Sequence, residues 1–267
     1  MASITAVIHA YNEAHQIDRC LRSLDWVDRI FFIDTFSTDE TVEIAKQFTR
    51  DIVQLKYENA AKTKNWAIDH APAADWLFFV DADEIVSSEL ACEVQSAIKE
   101  PDANGFSVSI VTHIGNKPSK CPYWNPNYQV RLFRRGCARW EDREVHAKLQ
   151  LEGLTRRLDS PIRHFPYPSV ETLLLKLNRY TTFESRQNVK EGQTLSSWDF
   201  PLKSIARSVR HFIRLYFVKR GYRDGRMGLI VSVVSSLYVF FTDAKYWEHM
   251  HLAAYSESDP HTKSVAP

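Results

Sequence analysis

Four short acidic runs in this 267-residue chain follow apolar segments directly: Ala10-Tyr11-Asn12-Glu13, Asp34-Thr35-Phe36-Ser37-Thr38-Asp39, Asp81-Ala82-Asp83-Glu84 and Glu141-Asp142-Arg143-Glu144-Val145-His146. Singly, each run also reads as a helix cap or strand terminator. Jointly, they stand at the C-terminal ends of predicted strands, where open α/β sheets bind ligands. Asp81 and Asp83 leave the buried run Trp76-Leu77-Phe78-Phe79-Val80, and two carboxylates so close repel one another unless a cation sits with them. A hard divalent ion, Mg2+ or Mn2+, suits carboxylate oxygen and bridges to a diphosphate. Asp34, placed alike, is suited to accept a hydrogen bond from a nucleobase N–H or a ribose hydroxyl.

The elements that must position these groups follow from periodicity. Strands are predicted over Ile4 to Ala10, Arg29 to Asp34, Ile52 to Leu55 and Trp76 to Val80, alternating with amphipathic helices. Ile17, Cys20, Leu21 and Leu24 mark one helix, and Ser37 with Glu40 gives a capping box ahead of another. This is the pattern of β-α units around a mostly parallel sheet. Beyond residue 101, strands over Phe106 to Val111 and Tyr128 to Phe133 are joined by proline-rich connections, predicting a more antiparallel second half.

Composition removes several classes. Thirty-four Lys and Arg against 33 Asp and Glu leave a net charge of +1, without the cationic excess of a nucleic-acid binder. The first of 8 glycines is Gly105, so no Walker A loop or GxGxxG turn opens the fold. Cys20, Cys92, Cys121 and Cys137 form no CxxC pair, which predicts a reduced, cytosolic chain, and the N-terminus has no secretory pattern.

Taken together, the residues resemble glycosyltransferase family 2. Ile8-His9-Ala10-Tyr11-Asn12-Glu13 is similar to that family's opening strand and nucleotide loop, Asp34 with Ser37, Thr38 and Asp39 to its second-strand pattern, Lys64-Asn65 to its basic-Asn pair, and Asp81-Ala82-Asp83-Glu84 to its metal motif. Further segments, Arg131-Leu132-Phe133-Arg134-Arg135, Val145-His146, Lys176 to Tyr180 and Arg220 to Leu229, resemble the branch containing lipopolysaccharide-core β-1,4-glucosyltransferases. The resemblance implies an α/β protein with the GT-A fold, Rossmann-like with a mostly parallel central sheet, and a C-terminal helical extension. It also implies inverting transfer of a sugar, glucose in that branch, from a UDP-sugar donor to a saccharide or lipid-linked acceptor. On this reading Ala10, Tyr11, Asn12, Glu13, Asp34, Asp39, Lys64, Asn65 and Asp81 contact the donor, while Asp83 with Asp81 holds Mg2+ or Mn2+.

One departure concerns the base. The branch's Val-His pair is followed by Glu, whereas Ala147 stands here and Glu144 precedes the pair. If Glu144 to Leu149 forms a strand, alternation puts Glu144 and His146 on one face, which suits a base beside a third metal ligand. Glu144, or Asp142 in its place, is the expected catalytic base. Trp124 and Trp140 offer stacking area for an acceptor sugar. Two alternatives remain: a catalytically degenerate scaffold binding a nucleotide sugar or lipid, kept open by Ala147, and a sugar-phosphate nucleotidyltransferase, disfavoured by the glycine-free opening.

Proline punctuation near residue 165 divides an expected catalytic domain, 1-165, from a helical region, 166-267, for acceptor and membrane association. Lys203 to Arg226 reads as one basic amphipathic helix with eight Lys and Arg against Asp224. The uncharged stretch Met227 to Thr242 falls short of the roughly 20 residues that cross a bilayer. Attachment to an anionic membrane surface, on the cytoplasmic face, is therefore expected over crossing, with no nucleic-acid partner.

Overall fold

The computed structural model describes residues 2–100, 102–143, 147–192 and 200–252. They form two compact units, Met1–Ser119 with Tyr123–Tyr167, and Lys120–Pro122 with Pro168–Pro267. In the first, β1 (Ile4–Ala10), β2 (Arg29–Asp34), β3 (Ile52–Gln54) and β4 (Trp76–Asp81) alternate with α1 (Ile17–Arg22), α2 (Thr41–Ala45) and α3 (Ala60–His70). Then come β5 (Glu84–Val86), α4 (Ser88–Ala97), β6 (Ala103–Ile114), β7 (Lys117–Pro118), β8 (Asn127–Arg134), β9 (Ala138–Trp140), β10 (Leu149–Leu151), β11 (Leu154–Arg157) and β12 (Ile162–His164).

The main sheet runs β3-β2-β1-β4-β8-β6-β12-β5. Its first four strands are parallel, β8 is antiparallel to both β4 and β6, and β12 is parallel to β6. The apolar runs of β1 and β4 are continuous because both faces are covered. Strand alternation divides β4 between two cores: Trp76, Phe78 and Val80 join one, Leu77 and Phe79 the other. Trp76 packs on Phe106 with centroids 5.5 Å apart, and on the opposite face Phe79 stacks on Phe133 at 5.4 Å.

Three sequence expectations are corrected. Ser37 does not cap α2; its hydroxyl accepts the Asn12 N–H at 2.9 Å, and Asp39 accepts the Thr41 N–H instead. Of the strand expected over residues 144–149, Ala147 and Lys148 are loop and pairing begins at Leu149, while Glu144 and His146 lie outside the described residues. The basic segment is not one helix: α6 (Phe200–Ile213) passes into a wider π turn, Arg214–Val218, and then a 3-10 turn, Gly221–Asp224, after Arg220 at φ 56°.

In the second unit, α5 (Val170–Lys190) and α6 both pack on α7 (Gly225–His251). Ser169 caps α5 by accepting the Thr172 N–H. Ser204 and Arg207, early in α6, hydrogen-bond Asp243, late in α7, so the two helices run antiparallel. Lys245 donates to Asn178 and to the hydroxyls of Thr181 and Thr182 on α5. With its preceding turn, α7 is 31 residues long and, by length and composition, long and apolar enough to cross a membrane, because helix continues well beyond the uncharged stretch.

Backbone meets backbone where α7 begins. A Cβ on Gly228 would lie 2.1 Å from the Gly221 carbonyl oxygen, so the Gly228→Ala variant forces the turn apart. Overpacking of this kind costs about 1–3 kcal/mol. The expected outcome is a lowered denaturant midpoint in the α5–α7 unit, read by circular dichroism at its helical signal; an unchanged midpoint would contradict the close approach.

Candidate active site

Register brings the first three acidic runs to one sheet edge. Ala10 lies opposite Asp34, and His9 opposite Asp81, across parallel neighbours. The loops leaving β1 and β2 are clasped together. Asn12, at φ 53°, donates its N–H to Ser37 and accepts the Thr38 N–H on its side-chain oxygen at 2.8 Å. The Glu13 N–H reaches the Thr41 hydroxyl at 2.8 Å, and the Ala14 N–H reaches Asp39 at 3.1 Å. Burial alone would raise the Asp39 carboxyl, but its bonds from Thr41 and the Ala14 N–H bring it below the usual range. Asp34 is fully buried and accepts from the Ser37 N–H and from Gln54. In this conformation it is closed to solvent. Tyr11 and Phe36 stand exposed on these loops.

Arg131 organises the third run. It is 4% exposed, and its guanidinium lies 2.7 Å from an Asp81 oxygen and 2.5 Å from Glu84, while Glu84 also accepts the Asp81 N–H at 2.8 Å. Antiparallel pairing of β8 with β4, Leu132 opposite Phe78, delivers Arg131 to this place. Lys64 on α3 approaches the other Asp81 oxygen at 3.6 Å and lies over the Trp140 ring. Crowding by protein would raise the Asp81 carboxyl, but Arg131 and then Lys64 hold it well below the ordinary range. Burial pushes Glu84 up to about 7 against the pull of Arg131, with the Asp81 charge adding to the rise.

Asp83 turns to a different partner. His164, held opposite Glu84 by the β12–β5 pairing, sets its Nε2 3.3 Å from an Asp83 oxygen. Burial lowers the basicity of that imidazole, and the Asp83 carboxylate more than reverses the effect. Among the described residues no group of three or more His, Cys, Asp or Glu converges as a metal cage. The Asp83 carboxylate nonetheless matches a hard divalent cation that completes its shell with substrate phosphate and water, and the neighbouring imidazole suits a transition ion such as Mn2+ better than Mg2+. Asp83 and His164 therefore fit Mg2+ or Mn2+, whereas both Asp81 oxygens already face cationic side chains. The sequence offered no signal for His164, a lone histidine among prolines.

Asn65 spends its amide on Trp140, accepting the Trp140 N–H and donating to its carbonyl, each at 2.9 Å. The Trp140 ring stands edge-on to Phe79 and Phe133, as part of the wall beneath Lys64. Asp142 is exposed in the loop that leaves β9 just beyond Trp140. Trp124, edge to face with Tyr123, precedes β8, whose antiparallel pairing sets its start at the Asp81 edge. The cavity of about 720 Å3 lined by Leu21, Asp28, Phe48 and Asp51 lies at the opposite end of the strands and holds none of these groups.

Removing one partner of a buried ion pair costs about 3–5 kcal/mol, because a charge is left unpaired. Arg131→Met is expected to lower unfolding free energy on that scale by chemical denaturation, and a change under 1 kcal/mol, roughly the worth of a surface pair, would contradict the burial. Glu84 carries a pH signature. Between the usual 4.5 and about 7 the folded state binds the extra proton, so this group's contribution to stability is full below 4.5 and falls as pH rises to about 7. Melting curves of Glu84→Gln should lack that decline, and parallel pH profiles would refute it.

A family model described as Glycosyl transferase family 2 matches residues 5–157. The lipopolysaccharide core biosynthesis glycosyltransferase LpsC of Rhizobium meliloti (strain 1021) is 27% identical, over 94% of this chain and 94% of its own. A Rickettsia felis protein described as an uncharacterized glycosyltransferase is 25% identical, over 94% of this chain and 91% of its own. In fold, the chain is similar to S. aureus TarS 1-349 in complex with UDP-GlcNAc, with a TM-score of 0.50 at 13% identity over 88% of this chain and 90% of that one. The mixed, mostly parallel sheet with its clasped loops at one edge is thus a GT-A fold, followed by C-terminal helices. The chain belongs to glycosyltransferase family 2.

Proposed function

We propose that the protein is an inverting glycosyltransferase that moves glucose from UDP-glucose to a saccharide or lipid-linked acceptor in lipopolysaccharide-core or related cell-surface synthesis. The observation that carries this reading is the convergence of Lys64, Asp81, Asp83 and His164 at the edge where the β1 and β2 loops are clasped. The relative LpsC, a lipopolysaccharide core biosynthesis glycosyltransferase, supports the acceptor class. UDP-GlcNAc in the complex of TarS supports a UDP-sugar donor.

On this reading the loops after Ala10 and Asp34 take the uridine, with Tyr11, Asn12, Glu13 and Asp39 shaping the pocket. Lys64 faces the diphosphate charge. Asp83 and His164, with Asp81 beside them, hold Mg2+ or Mn2+; His146, the third ligand expected from the sequence, lies outside the described residues. The ion, when bound, supplies Lewis-acid stabilisation of the leaving diphosphate. Glu144, which also lies outside the described residues, or failing that Asp142, takes the proton from the acceptor hydroxyl as its oxygen attacks the anomeric carbon. One displacement converts an α-linked donor into a β-linked product. Trp124 and Trp140 form the acceptor side. Basic residues of α6 and the π turn after it attach the enzyme peripherally to the inner face of the cell membrane; Arg210 and Arg214 serve that role, since Arg207 is paired with Asp243.

Transfer from UDP-glucose, followed by NMR of the product, is expected to yield a β-linkage. It should fall to background in Asp83→Ala or with excess chelator, and by about 10²–10⁴ in whichever of Asp142→Asn and Glu144→Gln removes the base. An α-linked product, or full activity in both carboxamide variants, would overturn the mechanism. Undiminished turnover in Asp83→Ala would remove the metal role.

A further inference from the structure

The two units differ in what they leave exposed. In the first, Ile, Leu, Phe and Trp fill the interior, as they do in water. In the second, Leu173, Leu215, Val231, Val234 and Tyr246 share the interior with Ser185, Ser204, Ser232, Ser236, Thr242 and Asp243, while many large apolar side chains of α6 and α7 stand exposed. Three of the buried hydroxyls are satisfied within or between the helices: Ser232 donates to the Gly228 carbonyl, Ser236 to that of Ser232, and Ser204 to Asp243. Small residues at contacts, internal hydrogen bonds and outward apolar groups are the arrangement of helices surrounded by lipid.

The outward groups are ordered. Leu229, Val233, Leu237 and Phe241 recur every four residues along α7, each 38–42% exposed. Ile205, Val209 and Ile213 form a second row on α6, 47–52% exposed. Only 39% of the most apolar window of α7 is buried. Charge is segregated as well. The turn joining the two helices carries Lys219, Arg220 and Arg223 against Asp224, and Arg226 follows in the first turn of α7. Its cations match anionic head groups, and they forbid insertion turn-first, which would carry them into hydrocarbon.

We infer that the α6–α7 pair lies in the plane of an anionic phospholipid bilayer, its two apolar rows inserted among the acyl chains and its basic turn among the head groups. This deepens the membrane attachment proposed above and rests on it, changing the mode from electrostatic to inserted. Cations capture the protein, and burial of the rows holds it.

Flotation of the full-length protein with vesicles of phosphatidylglycerol and phosphatidylcholine tests this. The wild type should co-float at low salt and remain bound at about 1 M NaCl, where the Debye length is about 3 Å and exposed charges are screened. Val233→Asn with Leu237→Asn changes two side chains of the outward row, 40% and 38% exposed. This variant should melt like the wild type by circular dichroism, co-float at low salt, and be lost from the vesicles at about 1 M NaCl. Release of the wild type by salt would overturn insertion while sparing electrostatic attachment, and absence of any flotation would overturn both. Salt-resistant flotation of the variant would also overturn insertion. So would a lipid-free dimer, seen by analytical ultracentrifugation and abolished by the same two substitutions, which would assign the rows to a second copy.

Discussion

The candidate site depends on one buried guanidinium. Arg131 lies between Asp81 and Glu84, so the end of β4 and the start of β5 are tied through a single side chain on β8. Two carboxylates facing one another at the rim of an apolar core would otherwise repel or take up protons. The cation holds Asp81 ionised and leaves Glu84, walled off from water, to carry the strain of burial as a raised pKa. Because desolvation offsets most of the attraction in such a pair, its value is less in net stability than in fixing where the acidic turn sits.

That fixed turn sends its two aspartates to different tasks. Asp81 points into cationic company from α3 and β8, and Asp83 meets His164 from the far end of the sheet. The neighbouring loops are set by a separate network of short polar bonds, in which Asn12, Ser37, Asp39 and Thr41 connect the exits of β1 and β2. Much of the polar chemistry at this edge therefore positions main chain, leaving fewer groups facing a substrate than the acidic runs suggest.

The helical unit solves a different problem. Unit one buries its apolar residues in two cores on the faces of a sheet. Unit two packs helices through glycine, serine and an Asp243–Arg207–Ser204 network, and turns apolar side chains outward. Its interior also holds Leu173, Leu215, Val231, Val234 and Tyr246, yet the rows on α6 and α7 stay exposed. Those exposed rows are what the proposed bilayer would cover.

Local pattern sufficed for the strands that carry the acidic runs, because period-two burial and continuous apolar runs are written into β1, β2 and β4 residue by residue. The same holds for the placement of Asp34, Asp81 and Asp83, which simply end those strands, and for membership of the family, whose motifs are contiguous. Tertiary structure decided everything that joins distant segments. The role of Arg131 requires the antiparallel seating of β8, and His164 becomes a partner of Asp83 only through a three-residue strand pairing with β5. Ser37 could be read as a helix cap from spacing alone, yet a loop 25 residues away offers it a better-placed N–H. The basic segment carries uniform amphipathic periodicity, yet in the fold it is divided into α6, a π turn and a 3-10 turn, with Arg220 at positive φ before the last. Sequence reports the preferences of each segment; which polar groups are spent on one another, and which are left facing a ligand or a lipid, is set only when those segments meet.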